Sequence, residues 1–371
     1  MTSKQLEVEE RGRRTAGEDA RERLLSGLPV TERRLQLAGV STAVLEGGDG
    51  PPIVFLQGEF AAVWVRVIPE LVTTHRVIAP DLPGLGASEV SDGPPQADTV
   101  LTWLDELIEQ TCAIPPVLVG KGPGGALAAR FAIDHSDRVD RLVLVDTHGL
   151  ARFRPPPGMA LSFIGVLLRP TERGLERGFR RYCFDDLDRV RTEMGERYER
   201  MAAYALDRFR TPSVKAAMRS LMRQLASAIP SGDLDRIAVP TTLIWGRHDL
   251  GVRLNVAEKA STRYGWPLYV IEDARDDPAI EQPEAFLEAL RTCSRAVPLP
   301  LLEEVAPPRK RGELPDGLRR GVGVAALRDE RVSPPATCHC SHGRVATVPL
   351  GSPLVLASPA KEPSEGSTPR T

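Results

Sequence analysis

The sequence lacks long apolar runs, a large net charge and an abundance of histidine. Its best candidate for a membrane segment, Met159 to Leu168, is too short to cross a bilayer and is typical of a buried helix. The formal net charge of -2 gives no reason to expect nucleic acid or an anionic membrane as a partner. Only six histidines are present, so every mechanism that needs an imidazole can be checked residue by residue.

Cysteine is also scarce, with five residues in a chain of 371. Cys112, Cys183 and Cys293 lie far apart in apolar or mixed segments, which is typical of reduced thiols in a cytoplasmic protein. The other two belong to Cys338-His-Cys-Ser-His342, but a structural zinc site usually needs two ligand pairs separated by an ordered spacer. We therefore predict no metal and no other cofactor. The charged N-terminus has no apolar run, so we expect no secretory signal and a cytoplasmic location.

Short apolar runs typical of β-strands alternate with helical patterns along much of the chain. The alternation begins near residue 35, stops at Gly149 and resumes near residue 237. It predicts the α/β fold class, with a mostly parallel β-sheet flanked by helices. The interruption is rich in Arg, Met, Glu and Leu and has no β-type run, which predicts a helical insertion.

The same pattern divides the chain into four parts. Residues 1–34 form a charged leader that we expect to pack loosely or not at all. Residues 35–149 and 237–295 form the core, and residues 150–236 form the helical insertion. Residues 296–371 are rich in proline and arginine and contain no aromatic residue. Such a segment cannot bury enough apolar surface to offset its ordering entropy, so we predict a disordered tail.

Four segments, in this order, resemble the α/β-hydrolase superfamily over roughly residues 35 to 295. They are Ile53-Val-Phe-Leu-Gln-Gly58, the strand and loop of residues 76–88, Val117-Leu-Val-Gly-Lys-Gly-Pro-Gly-Gly-Ala126, and the paired loops of residues 243–249 and 271–283. The helical insertion lies where that family carries its cap. The resemblance implies an α/β-hydrolase fold and relatives that act on small esters, epoxides or lactones.

The third segment aligns with the nucleophile elbow of the family, Gly-x-nucleophile-x-Gly, a sharp turn from strand to helix. Gly120-Lys-Gly-Pro-Gly124 keeps the flanking glycines, so the turn is expected, but Gly122 stands at the nucleophile position. The family uses the N–H after the nucleophile as an oxyanion donor, and Pro123 has none. Losing one such donor typically costs about 10²–10³ in rate.

Lys121 is the remaining unusual residue of the elbow. It is expected either to pair with a carboxylate or to point to solvent. A Schiff-base role would need a pKa lowered by burial, and nothing in the sequence demands one.

The histidine position of the family is also changed. Its Gly-His loop aligns with Arg275-Asp276, and an aspartate with an ordinary pKa near 4 is a poor base for a serine. Among the histidines present, His148 follows a strand at its carboxyl end and is the one expected to line the cleft. A Ser-His-Asp mechanism is therefore not expected.

The loop that would hold the oxyanion departs from the family as well. Gln57, Gly58, Glu59 and Phe60 replace the usual His-Gly opening. Glu59 would place a carboxylate close to where negative charge develops in acyl transfer, which opposes that chemistry. We expect these four residues to line the binding site together with Lys121, Gly122, Pro123 and His148.

Two carboxylates remain for chemistry. Asp249 aligns with the acid of the family triad and Asp276 with the lost histidine, so the two would face each other near Arg275. Close carboxylates push one pKa upward and form an acid and base pair, suited to water addition to an epoxide or to a cyclisation. The alternative, which we favour, is that they are loop carboxylates in caps and ion pairs.

Three functions follow. The first is a non-hydrolytic descendant that binds a small apolar molecule between cap and sheet. The second is a hydrolase or lyase of a small apolar substrate that uses Asp249 and Asp276. The third is a protein-interaction module built on the cap, which a large exposed apolar patch would favour.

Overall fold

The computed structural model describes residues 16–58, 60–91, 93–295 and 354–356. Ten strands of this part of the chain form one sheet. They are β1 (Thr31–Leu37), β2 (Val40–Gly47), β3 (Pro52–Leu56), β4 (Arg76–Pro80), β5 (Glu89–Val90), β6 (Val117–Lys121), β7 (Arg141–Val145), β8 (Thr241–Gly246), β9 (Leu268–Ile271) and β10 (Leu354–Leu356).

The sheet runs in the order β1-β2-β4-β3-β6-β7-β8-β9-β10, and β5 pairs with β2. From β4 to β10 neighbouring strands are parallel, whereas β1, β2 and β4 pair antiparallel. Every residue of β3 and β6 is buried, which fits their mostly apolar sequences, because helices cover both faces of a parallel sheet. The predicted α/β fold class is confirmed.

Thirteen α-helices surround the sheet within the described residues. They are α1 (Ala16–Leu25), α2 (Ile68–Leu71), α3 (Ala97–Thr111), α4 (Pro123–Asp134), α5 (Pro157–Leu168), α6 (Glu172–Gly178), α7 (Leu187–Met194), α8 (Glu196–Arg210), α9 (Pro212–Leu225), α10 (Ser231–Leu234), α11 (Leu254–Tyr264), α12 (Pro278–Glu281) and α13 (Pro283–Arg295). Helices α5 to α10 lie between β7 and β8 and form the cap. No helix of the described chain has the length and apolar character needed to cross a membrane.

The N-terminal segment corrects one prediction. Residues 16–34 are not a loose leader, because α1 packs on the cap helix α8 and β1 joins the sheet. Leu24 and Leu28 of this segment are buried. Strand β1 left no sign in the sequence because it is an edge strand whose first four residues are exposed and polar. The core therefore begins near residue 31, and residues 1–15 lie outside the described part.

A buried arginine fixes α1 to the rest of the fold. Arg21 is 5% exposed, and its Nη1 lies 2.8 Å from Oδ2 of Asp81 and donates to Oη of Tyr204 at 3.0 Å. The carboxylate of Asp81 also accepts the backbone N–H groups of Ala61 and Ala87 at 2.6 and 2.8 Å. Asp81 thus ties α1 to the loop that follows β3.

The C-terminal tail is described only at β10, which pairs in parallel with β9. These three residues form a strand within the segment predicted to be disordered, since an apolar run can add to the open edge of a parallel sheet. The remainder of residues 296–371 lies outside the described part, as do Cys338 and the histidines beside it.

We expect replacement of Arg21 by alanine to lower the free energy of unfolding by about 3–5 kcal/mol, because it leaves Asp81 buried without its counterion. Arg23→Ala is the matched control, since Arg23 is exposed on the same helix, and its effect should stay within about 0.5 kcal/mol. Urea unfolding of both variants measures the difference. An equal decrease in the free energy of unfolding in both variants would mean that α1 stabilises the fold only through its apolar contacts.

Candidate functional site

The turn between β6 and α4 has the geometry of a nucleophile elbow. Gly122 adopts φ 52° and ψ -122° between the last residue of the strand and the first of the helix. Its N–H donates to the carbonyl of Val145 at 3.1 Å, and its carbonyl accepts the N–H of His148 at 3.0 Å. A Cβ on Gly124 would overlap the backbone of Leu56. The turn predicted from the flanking glycines is therefore present.

The apex of this elbow has open space and no side chain. A Cβ built on Gly122 would meet no atom within 4 Å. There is room for a Cβ, although the φ of 52° is strained for a residue other than glycine. The turn has the backbone conformation of a nucleophile elbow, but the residue at its apex has no side chain.

An apolar cavity of about 280 Å³ lies between the elbow and the cap. Most of its wall is contributed by apolar cap side chains, among them five with aromatic rings: Phe153, Phe163, Phe179, Tyr182 and Phe209. The elbow end carries the predicted residues Gln57, Gly58, Lys121, Gly122, Pro123, His148 and Asp276. Two predicted residues do not line it: Phe60, which packs against Tyr204 in the core with a centroid separation of 5.1 Å, and Asp249. Glu59 lies outside the described residues.

Lys121 forms an ion pair at the elbow end of this cavity. It is 5% exposed, and its Nζ lies 3.0 Å from Oδ1 of Asp277 and 3.5 Å from Oδ2 of Asp276. The expectation that Lys121 pairs with a carboxylate is met, but its nearer partner, Asp277, was not predicted. The family pattern indicates only the single histidine position, so the neighbouring aspartate gave no signal.

Asp249 is buried behind the cavity with both oxygens engaged. Its Oδ1 accepts the N–H of Gly251 at 2.6 Å and its Oδ2 the N–H of Val252 at 3.2 Å. Burial raises the pKa of Asp249 well above its usual value, and the nearby charge of Asp276 adds to this. The two backbone hydrogen bonds act in the opposite direction.

Asp146 is a third carboxyl group near Asp249 and Asp276, and it was not predicted. It follows β7, is fully buried, and accepts the N–H of Gly246 at 2.9 Å through Oδ1, while Oδ2 has no partner. Burial, followed by the charges of Asp249 and Asp276, raises its pKa well above the usual value. An aspartate at the carboxyl end of a predicted strand could have indicated it.

Arg275 does not join these carboxylates. Its Nε lies 3.3 Å from Oδ1 of Asp185, and its Nη1 donates to the carbonyl of Arg181 at 2.9 Å. Both partners belong to the cap, so the predicted Asp-Arg-Asp arrangement is wrong in its central member. The reason is that the guanidinium of Arg275 pairs with a cap carboxylate, that of Asp185.

His148 lies where it was expected, beside the elbow. Its ring stacks on Phe153 with centroids 4.3 Å apart, and its Nδ1 is enclosed without a hydrogen-bond partner. Burial lowers the pKa of His148 to about 4. The imidazole is therefore neutral at physiological pH.

The loop after β3 offers little to an oxyanion. Nε2 of Gln57 donates to the carbonyl of Phe60 at 2.6 Å, and its Oε1 is enclosed without a partner. Gly58 approaches the ring of Pro123 so closely that a Cβ would overlap it. Proline has no N–H to donate at this position.

Glu281 links the loop of Asp276 to the cap. It is fully buried, and its two oxygens accept the N–H groups of Arg275 at 2.7 Å and Asp185 at 2.5 Å. Burial raises the pKa of Glu281 to about 8, against the effect of these hydrogen bonds. The carboxyl group of Glu281 thus bridges the loop of Asp276 and the cap segment that contains Asp185.

Comparison with known proteins agrees with this architecture. The model of the alpha/beta hydrolase fold family matches residues 51–282. The chain is 35% identical over 132 residues to the 2-hydroxymuconate semialdehyde hydrolase of Pseudomonas sp. (strain CF600), a match that covers 33% of this chain and 46% of that protein.

Two further relatives are similar over a larger share of their length. The chain is 27% identical over 272 residues to the 2-hydroxy-6-oxo-6-(2'-aminophenyl)hexa-2,4-dienoic acid hydrolase of Metapseudomonas resinovorans, covering 70% of this chain and 89% of that protein. The solved structure of carboxylesterase CesB from Bacillus subtilis is similar with a TM-score of 0.64 at 18% identity, covering 76% of this chain and 98% of that one.

The raised pKa of Glu281 predicts a pH-dependent stability. The folded protein keeps a proton on Glu281 that the unfolded chain releases above about pH 4.5, so the free energy of unfolding falls as pH rises from about 5 to 8. In Glu281→Gln this fall should be smaller by about 2–4 kcal/mol. Urea unfolding at pH 5.5 and 8.5 measures it.

The control for this experiment is Glu284→Gln, which removes an exposed carboxylate of the same segment and should leave the pH dependence unchanged. An identical pH dependence in Glu281→Gln and the unaltered protein would mean that Glu281 is ionised in the folded state throughout this range.

Proposed function

We propose that this chain, which belongs to the α/β hydrolase family, binds a small apolar molecule in the cavity between cap and sheet without hydrolysing it by a serine mechanism. The observation that carries the proposal is Gly122, which occupies the apex of an intact elbow and leaves open space beside the cavity. The scaffold for a nucleophile is kept, and the nucleophile is absent.

Two other features support the loss of the serine mechanism. Asp276 stands at the histidine position and is paired with Lys121, so no imidazole is available there to move a proton between nucleophile and leaving group. Pro123 cannot supply the N–H that would stabilise an oxyanion. His148 lies close to the elbow, but its Nδ1 has no acidic partner to orient it.

The cavity itself supports binding. Its volume of about 280 Å³ is near the lower end of the range for small-molecule sites, which are mostly apolar with a few polar groups that fix orientation. Here the apolar wall comes from the cap and the polar groups are gathered at the elbow. Such a division fits a molecule with an apolar body and one polar end.

We expect Ala160→Phe to weaken binding of the neutral apolar dye N-phenyl-1-naphthylamine by about tenfold, because a larger side chain at this position of the wall fills the cavity. Ala228→Phe adds the same ring at an exposed position outside the cavity and should bind as the unaltered protein does. Fluorescence titration gives both affinities. Equal weakening in both variants, or none in either, would place the dye elsewhere.

A second candidate is a hydrolase or lyase of a small epoxide, ester or lactone that uses Asp249 and Asp276. It is favoured by the raised pKa of Asp249 and by the presence of Asp276 in the cavity wall, and relatives of this chain are named as hydrolases. Against it, both oxygens of Asp249 already accept backbone hydrogen bonds. Only Asp276 is placed to meet a ligand.

Ester hydrolysis separates the two candidates. We expect the unaltered protein to release p-nitrophenol from the acetate and butyrate esters no faster than buffer. Gly122→Ser should also remain inactive, although a Cβ there meets no atom within 4 Å, because Asp276 and Pro123 are still present.

The control is the double variant Asp249→Asn, Asp276→Asn. Turnover in the unaltered protein that disappears in the double variant would establish the carboxylate mechanism. Turnover that Gly122→Ser gains would overturn the account of the lost serine machinery.

A further inference from the structure

Apart from Lys121, which is paired with carboxylates, the elbow end of the cavity offers few donors that could bind an anion. Pro123 has no N–H, the N–H of Gly122 is used by Val145, and Nε2 of Gln57 is used by Phe60. Gln57 and His148 also line the wall, but the unpaired Oε1 of Gln57 and Nδ1 of His148 are enclosed and not open to a ligand. The carboxylate of Asp276 lines the cavity and offers an acceptor there, which favours a ligand that donates.

The charge beside this end of the cavity is negative when Asp277 is counted, although Asp277 does not line the wall. Lys121 and Asp276 are the charged residues of the cavity wall, and Lys121 lies closer to Asp277, at 3.0 Å, than to Asp276, at 3.5 Å. One ammonium group therefore faces two carboxylates. Asp146 and Asp249 can only add negative charge or remain neutral, so they cannot reverse this sign.

The body of the cavity also suits a cation next to apolar groups. Phe153 contacts the ring of His148 beside the elbow and lines the cavity, and four further aromatic rings line it towards the cap. The face of an aromatic ring attracts a cation, and the attraction grows when both are removed from water.

We propose that the cavity selects molecules with an apolar body and a protonated amine head, and that the carboxylate of Asp276 receives the amine. The inference rests on the proposed binding function and adds the chemistry of the ligand. An amine supplies hydrogen-bond donors and a positive charge to the carboxylate of Asp276. A carboxylate of the same size is repelled, and an alcohol gains the hydrogen bonds without the charge.

Hexylamine, hexan-1-ol and hexanoate test this, since they share one apolar body and differ in the head. Calorimetric titration at pH 7 should give hexylamine an affinity about tenfold above that of hexan-1-ol, with hexanoate the weakest of the three. In Asp276→Asn the ratio of amine to alcohol affinity should fall by about tenfold. The ratio cancels any change in cavity shape that affects both molecules.

Asp273→Asn is the matched control, because Asp273 is exposed in the same loop and does not line the cavity. It removes the same charge and should leave the ratio unchanged. A ratio that falls equally in both variants would show a long-range effect of charge and would overturn the role of Asp276.

The outcomes also separate this inference from the proposed function. If none of the three molecules binds or displaces N-phenyl-1-naphthylamine, the cavity is not a binding site and both proposals fail. If hexan-1-ol or hexanoate binds the unaltered protein as tightly as hexylamine, the amine preference is wrong while binding in the cavity stands.

Discussion

The ion pair of Lys121 with Asp277 and Asp276 is the interaction on which the site depends. A buried ammonium needs a counterion, since an unpaired charge in the interior costs several kcal/mol (about 3–5). Lys121 is the last residue of β6, and its partners lie in the loop before α12. The pair therefore joins the elbow to the loop that contains Asp276 and Asp277.

This ion pair also balances the charge that Asp276 brings to the site. An aspartate at the histidine position would add a carboxylate to a cluster that already contains Asp146 and Asp249, and like charges at close range repel. Lys121, immediately before the elbow apex, supplies a positive charge at that point. Burial then keeps Asp146 and Asp249 towards their neutral forms, so that the cluster is compatible with the folded core.

The sequence was sufficient for the sheet and for the position of the site. Strands β3, β6 and β7 consist mainly of buried apolar residues, and Gly120 and Gly124 of the elbow have contacts that exclude side chains, so both features leave a local pattern. The pairing of Arg21 with Asp81 left none, because a charged residue in a polar segment indicates solvent unless its partner is known. Phe60 was predicted to line the cavity because its partner was also unknown from the sequence. The structure shows that its ring packs against Tyr204 of α8 in the core.

The positions of this fold that can carry chemistry differ from the positions that packing constrains. Gly124 cannot take a Cβ without displacing backbone, whereas a Cβ at Gly122 would meet no atom within 4 Å. The residue at the apex is therefore limited by its backbone conformation, with φ 52°, and not by packing. The charge of Asp276 is balanced by Lys121, and Glu281 joins cap to core through two backbone N–H groups. The groups that hold the elbow and the cap in place thus do not depend on a side chain at the apex, which is why the fold alone does not fix the chemistry of the site.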